Sequence, residues 1–204
     1  GMDEMARTRF EKQIALEKRI AAGEEPSGKK KRAKDTGGRG DAVAMTLVPI
    51  IEICRYCPGM VTAMGVSTGL AAASVMSKGT IEQKERFGLD LLTMDKIGAW
   101  AITEPGSGSD AFGSMKSTAR DNGDGTYTLN GNKTFITNGP YADTIIFICK
   151  LEEAGVDPKD RKIMNFVLET GMEGLTQTKP MRKMGLHSSP TGELFLSDVI
   201  AGKE

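Results

Sequence analysis

Trp100-Ala101-Ile102-Thr103-Glu104-Pro105-Gly106-Ser107-Gly108-Ser109-Asp110 passes from strand chemistry to loop chemistry within one short run. Trp100, Ile102 and Thr103 are strand-favouring types, and alternation puts Trp100 and Ile102 on one face. Pro105 stops the ladder because it has no N–H to donate. Gly106 to Ser109 can then bring bare amides and hydroxyls close to a guest. An aromatic plate, a hydroxyl and a donor-rich loop suit a flat ring with an anionic tail. A second segment, Thr134-Phe135-Ile136-Thr137-Asn138, repeats the pattern, with Phe135 and Thr137 predicted on a common face. The plain alternative is that strand aromatics fill a core, strand threonines suit a sheet, and Gly-Ser runs are turns.

C-terminal to Asp95 the pattern predicts strands at 96–103, 115–120, 126–130, 133–137, 144–150, 163–169 and 193–199. Asn122-Gly123-Asp124-Gly125 predicts a hairpin turn, because these residues tolerate positive φ, and Asn130-Gly131 predicts another. Short strands punctuated by turns suggest a β-barrel or sandwich. N-terminal to Asp95 the chain reads as helices. Asp41 can cap a helix through Val43, Leu47, Ile50, Ile51 and Cys54, which Pro49 can kink or break. Met60 to Met76 is apolar and uncharged, with small residues that suit a central packed helix better than a membrane span. Thr80 and Gln83 form a capping box opening a helix to about Leu92. The fold class is therefore α+β: N-terminal helices followed by an antiparallel β-barrel or sandwich.

The remainder narrows the function. Of 204 residues, 39% are hydrophobic, and the net charge is zero, which excludes a general affinity for nucleic acid or anionic membranes. Residues 1–40 hold a helix-forming run, from about Ala6 to Ala22, then Lys29-Lys30-Lys31-Arg32 among Gly, Ser and Pro. That segment reads as a mobile linker. Three cysteines suggest a reducing compartment, and acidic residues near the N-terminus argue against a mitochondrial transit peptide. A cytoplasmic protein is expected. Cys54 and Cys57 make a Cys-x-x-Cys, open to a metal or redox role; two buried helical thiols are the alternative.

Thr103-Glu104-Pro105 with Gly108-Ser109-Asp110, and Leu129-Asn130-Gly131-Asn132-Lys133 running into Phe135-Ile136-Thr137-Asn138, resemble the two flavin motifs of the acyl-CoA dehydrogenases. The likeness covers about 41–204. It implies a partial N-terminal helical domain at 41–95 and a middle β-domain at 96–204 that forms one wall of an FAD pocket. By position, Trp100, Ile102, Thr103, Gly108, Ser109, Phe135, Ile136 and Thr137 would contact the flavin. Ser109, Ser189 and Thr191 would contact acyl-CoA, with Lys179, Arg182 and Lys183 near its phosphates. Trp100 stands where the family more often has Tyr or Phe, and Phe135 where it usually has Trp. His187, the single histidine, lies in the loop resembling the CoA side. The family oxidises acyl-CoA to trans-2-enoyl-CoA, passes electrons to electron-transfer flavoprotein, and forms homo-oligomers. Its base, usually Glu, belongs to a C-terminal helical domain. No residue here is assigned that role, and Glu104 is excluded because its motif position is a turn beside the flavin. The expectation is thus a truncated dehydrogenase; the alternative is a non-catalytic flavin- or acyl-CoA-binding module completed by a partner chain.

Overall fold

The structure is a computed structural model that describes residues 2–24 and 38–202. The basic run at 29–32 lies outside the described residues. Helix α1 (Met2–Ala21) has a thin apolar stripe in which Phe10 and Ile14 are buried. Lys18 pairs with Glu85 at 2.6 Å and Glu17 with Lys84 at 2.7 Å, so 2–21 is a docked helix rather than a mobile arm. Helix α2 (Gly38–Tyr56) begins three residues before Asp41, which therefore does not cap it, and it runs through Pro49 without a break.

Helix α3 spans Pro58–Lys78 with a π-helical turn at Val66–Ala71. By length and hydropathy it would cross a bilayer, yet here Ala71, Ala72 and Val75 are buried in one cluster with Phe87, Leu91, Ile146 and Ile148. Each fully buried aliphatic or aromatic side chain of that kind contributes about 1.5–3 kcal/mol. The π turn also aims Ser67 at the sheet: its Oγ accepts from the buried N–H of Gly98 at 2.9 Å, where the first strand starts. Helix α4 covers 81–93 and is opened by the predicted capping box, with Gln83 N to Thr80 Oγ1 at 3.2 Å and Thr80 N to Gln83 Oε1 at 3.0 Å.

Seven strands follow: β1 (Gly98–Ala101), β2 (Thr118–Asp121), β3 (Thr126–Thr137), β4 (Thr144–Leu151), β5 (Ile163–Glu169), β6 (Leu175–Gln177) and β7 (Thr191–Gly202). A short helix, α5 (Ala111–Ser114), sits between β1 and β2. Four pairings are antiparallel, β2–β3, β3–β7, β4–β5 and β6–β7. The antiparallel expectation is corrected at β1–β4 and β2–β4, which are parallel, so the sheet is mixed. Ala99, Ala119, Leu129, Phe147, Leu168 and Leu194, from six different strands, share one buried cluster. The sheet therefore curls around a single core, as a barrel or sandwich does.

The Asn122–Gly125 turn joins β2 to β3 with Gly123 at φ 80° and Gly125 at φ 91°. Asn130-Gly131 is not a turn. β3 runs straight through it with a register shift against β7 between Leu129 and Gly131. Asn130 Nδ2 donates to Asp198 Oδ1 and Asp198 N donates to Asn130 Oδ1, both at 2.9 Å, so the bulge, which puts one extra residue in β7, is tied across to β3. Gly131 is required there, since a Cβ would stand 2.2 Å from Ser117 Oγ.

Candidate flavin-facing site

The two sequence motifs lie side by side. Thr134 N donates to Thr103 O at 2.9 Å, and Asn138 Nδ2 donates to Gly98 O at 2.9 Å, so the end of β3 flanks β1 and its extension at both ends. Ala99, Ala101 and Ile136 point into the sheet core. Alternation then leaves Trp100, Ile102, Phe135 and Thr137 on the outer side. Trp100 and Ile102 are half-buried against the helical cluster around Phe87 and Leu91. Ile136 is 2% exposed, so only its backbone can meet a ligand.

Phe135 is the unusual member. It is 67% exposed and held at φ 56°, at a second register shift between Lys133 and Ile136. Left-handed backbone at a bulky residue costs about 1–2 kcal/mol. An exposed aromatic ring on strained backbone is not explained by core packing. Gly108 and Ser109 are exposed at the loop tip, and a Cβ at Gly106 or Gly108 would meet open space. The plate and the open loop thus fit a planar ring with a polar tail.

What fixes this arrangement is a buried ion pair that the sequence reading missed. Lys133 Nζ lies 2.8 Å from Glu104 Oε1, with side chains 0% and 5% exposed. Lys133 also donates to Ile102 O at 3.1 Å and sits 5.2 Å over the Phe147 ring. Glu104 accepts from Lys116 N at 2.7 Å and Ser117 N at 3.0 Å, and bridges to Ser107 through the backbone. One ammonium therefore pins the chain on both sides of Thr103. Burial opposes the charged carboxyl, but donors from Lys133, Ser117 and Lys116 outweigh it and hold Glu104 below its usual range. At Lys133 desolvation prevails and pushes the ammonium pKa down, with Glu104 opposing. Both residues stand in the quoted motifs. The available signal was a charge at a strand position with a carboxylate in the partner motif.

Asn138, also missed, is 2% exposed with φ 65°, a conformation asparagine tolerates. Its Nδ2 donates to Ala63 O at 2.8 Å and its N–H to Pro190 O at 2.7 Å, tying α3 and the approach to β7 to β1. Thr191 is the register partner of Thr137 on β7. Ser189 is buried, and its carbonyl accepts from Lys183 Nζ, which also donates to Thr191 Oγ1 at 2.9 Å. That ammonium is committed to the chain itself. Lys179 and Arg182 remain exposed, and His187 donates Nε2–H to Lys183 O at 2.6 Å. Among the described residues no hydrogen bond links Gly108 or Ser109 to Ser189 or Thr191. A groove of about 530 Å³ between α3, α4 and β5 is lined by Phe87, Tyr127, Phe166 and Val167, away from Thr103, Phe135 and Thr137. Among the described residues no cluster of three metal-ligating side chains exists. The thiol alternative is corrected: Cys54 is exposed and Cys57 half-exposed, while Cys149 alone is buried.

The sequence matches the family descriptions "Acyl-CoA dehydrogenase, N-terminal domain" over residues 31–95 and "Acyl-CoA dehydrogenase, middle domain" over residues 99–199. It is 39% identical over 166 residues to the short-chain specific acyl-CoA dehydrogenase of Megasphaera elsdenii, covering 80% of this chain and 42% of that protein. The solved butyryl-CoA dehydrogenase of the same organism superposes with a TM-score of 0.72 at 32% identity, covering 99% of this chain and 56% of that one. An acyl-CoA dehydrogenase complexed with FAD from Bacillus anthracis gives a TM-score of 0.63 at 37% identity, covering 71% of this chain and 24% of that one. The helices, the mixed sheet and the paired motifs define an α+β scaffold of the acyl-CoA dehydrogenase type. The chain belongs to the acyl-CoA dehydrogenase family. It spans about two fifths of the length of the curated relative quoted, at 42%.

Proposed function

We propose that this chain supplies one wall of an FAD site in a protein that oxidises acyl-CoA to trans-2-enoyl-CoA, with electron-transfer flavoprotein as acceptor and a homo-oligomeric assembly. The observation that carries the reading is Phe135, an exposed aromatic on strained backbone beside the Thr103 strand. FAD, when bound, supplies the hydride acceptor. This chain's residues then act by position. Phe135 and the free surface of Trp100 offer apolar faces for a planar ring. The hydroxyls of Thr103 and Thr137 would donate to its polar edge, where fixed dipoles stabilise developing charge. Gly108 and Ser109 present the open end of the loop to the phosphate tail. Ser189 and Thr191 border the acyl-CoA side, next to a cleft of about 380 Å³ lined by Arg182 and His187, with Arg182 available to a phosphate.

Flavin fluorescence titration of the 204-residue protein is expected to show weak, saturable FAD binding. Phe135→Ala should weaken it about tenfold, the sum of a lost stacking contact and lost buried area. Equal affinity of the two proteins would overturn the reading. A second reading, a binding module completed by a partner chain, is favoured by α2. Its Val43, Leu47, Val48 and Ile51 are 51%, 48%, 55% and 56% exposed, an apolar surface of the kind other helices cover.

A further inference from the structure

Cys54 and Cys57 take no part in the flavin-facing site, yet their placement is specific. Cys54 lies in the last turn of α2, and Cys57 is the residue between α2 and α3, with φ −148° and ψ 70°. The N–H of Cys57 still bonds to Ile53 O at 2.8 Å, so the two thiols share one helical turn. Side chains three apart on a turn have Cβ atoms about 5–6 Å apart, and a disulfide needs about 3.5–4.5 Å. Cys57 can make up that difference because its own backbone is outside either helix.

The Cys57 thiol has a partner across the chain: it donates to Ser188 Oγ at 3.0 Å. The loop carrying Ser188 lies directly on the start of α3. A Cβ at Gly59 would stand 2.5 Å from Ser188 Oγ and 3.0 Å from Ser189 N, so only glycine admits the loop there. Ser189 is in turn held by Lys183.

We propose that Cys54 and Cys57 are a redox-modification site, a solvent-accessible dithiol that low-molecular-weight disulfides oxidise to an intrachain disulfide, loosening the Ser188–Ser189 loop from α3. The exposed Cys54 sulfur, after losing its proton, attacks one sulfur of a disulfide RSSR. A mixed disulfide forms and RS⁻ leaves, taking up a proton to give RSH. Cys57 then loses its proton and attacks the Cys54 sulfur, and the second RSH departs. Two thiols are oxidised and one RSSR is reduced to two RSH. The oxidised Cys57 has no S–H to give to Ser188. This inference stands apart from the flavin reading, since it needs neither FAD nor acyl-CoA.

The test treats the full chain with oxidised glutathione, blocks remaining thiols with N-ethylmaleimide, and digests with trypsin. Arg55 lies between the two cysteines, so the disulfide appears as a cross-linked pair of peptides while Cys149 carries the label after denaturation. Hydrogen exchange then reads the Ser189 amide, which bonds to Leu186 O at 2.9 Å. Oxidation should speed it about fivefold, the effect of one ordinary hydrogen bond, and Ser188→Ala in the reduced protein should do the same. Cys54→Ser should abolish the cross-link. Stable glutathione adducts in place of the cross-link, or a cross-link with unchanged exchange at Ser189, would overturn the proposal.

Discussion

Replacing Glu104 with Gln in the buried Lys133–Glu104 pair should destabilise the protein severely while changing no exposed atom. The Lys133 side chain is 0% exposed, so the substitution leaves an ammonium in the core with no counter-charge and only neutral oxygens, such as Ile102 O, to accept from it. Removing one partner of such a pair costs about 3–5 kcal/mol. For a chain of this size, about 2–4 °C is lost per kcal/mol, giving a fall in Tm of roughly 6–20 °C by circular dichroism. The structure also predicts where the loss is felt first, because Glu104 holds Lys116 N and Ser117 N and closes the loop through Ser107. Proteolysis within the Pro105–Asp110 loop should therefore rise. Lys133→Met alone should cost a similar amount, because it strands a carboxylate. The double variant should cost at least about 2 kcal/mol less than the sum, since it removes both charges. Its recovery is incomplete, because Gln offers one acceptor oxygen where Glu104 offered two. The pH dependence has a definite sign. The Glu104 carboxyl is held below its ordinary value of 4.5, so its contribution is fully present above that pH and is lost as pH falls through the lowered value. The parent protein should lose stability in that acid window, and Glu104→Gln should lack this component. Single variants that cost under about 1 kcal/mol, or a strictly additive double variant, would refute the reasoning.

Asn138→Ala should cost about 2–4 kcal/mol in urea unfolding, since it removes the bonds to Ala63 O and Gly98 O and puts alanine at φ 65°; Asn138→Gly should recover only the backbone part. Burial pushes the Cys149 thiol up to about 12, so a thiol reagent near pH 8 should modify Cys54 and Cys57 in the native protein and reach Cys149 only on unfolding. Phe135→Gly should leave thermal stability within about 1 kcal/mol of the parent or raise it, because glycine relieves the strain, while FAD binding falls about tenfold; a matching loss of stability would mean that the ring serves packing.

Much of the scaffold was readable because local chemistry agreed with the final structure. The Asn122–Gly125 turn and the Thr80–Gln83 capping box depend on neighbours a few residues away, and both formed as expected. Asn130-Gly131 misled because its turn chemistry is local while its role is not. Asn130 is answered by Asp198 on β7 and Gly131 by Ser117, contacts that no window around residue 130 contains. The parallel pairing of β1 with β4 was hidden for the same reason, since strand periodicity carries no direction. The cysteine alternative failed because helical composition says a residue is on a turn, not which side of the turn is covered.

The flavin motifs themselves divide into two kinds of residue once the fold is known. Trp100, Ile102, Thr103, Phe135 and Thr137 were picked out because they look like ligand contacts; all but Thr103 lie on the outer side of the sheet, and Thr103 is half-buried where β1 passes into the loop. Glu104, Lys133 and Asn138, from the same two motifs, have no surface to offer a ligand: they are 6%, 1% and 2% exposed. Their bonds run to Ile102 O, Lys116 N, Gly98 O and Ala63 O, the backbone of the strand, loop and helix around the candidate contacts. A motif of this kind is thus half guest-facing and half frame. Strain at Phe135 can persist because the frame residues on either side of it, Lys133 and Asn138, are fixed by buried bonds. It follows that loss of flavin affinity in Lys133 or Asn138 variants should come with loss of stability, whereas at Phe135 the two should separate.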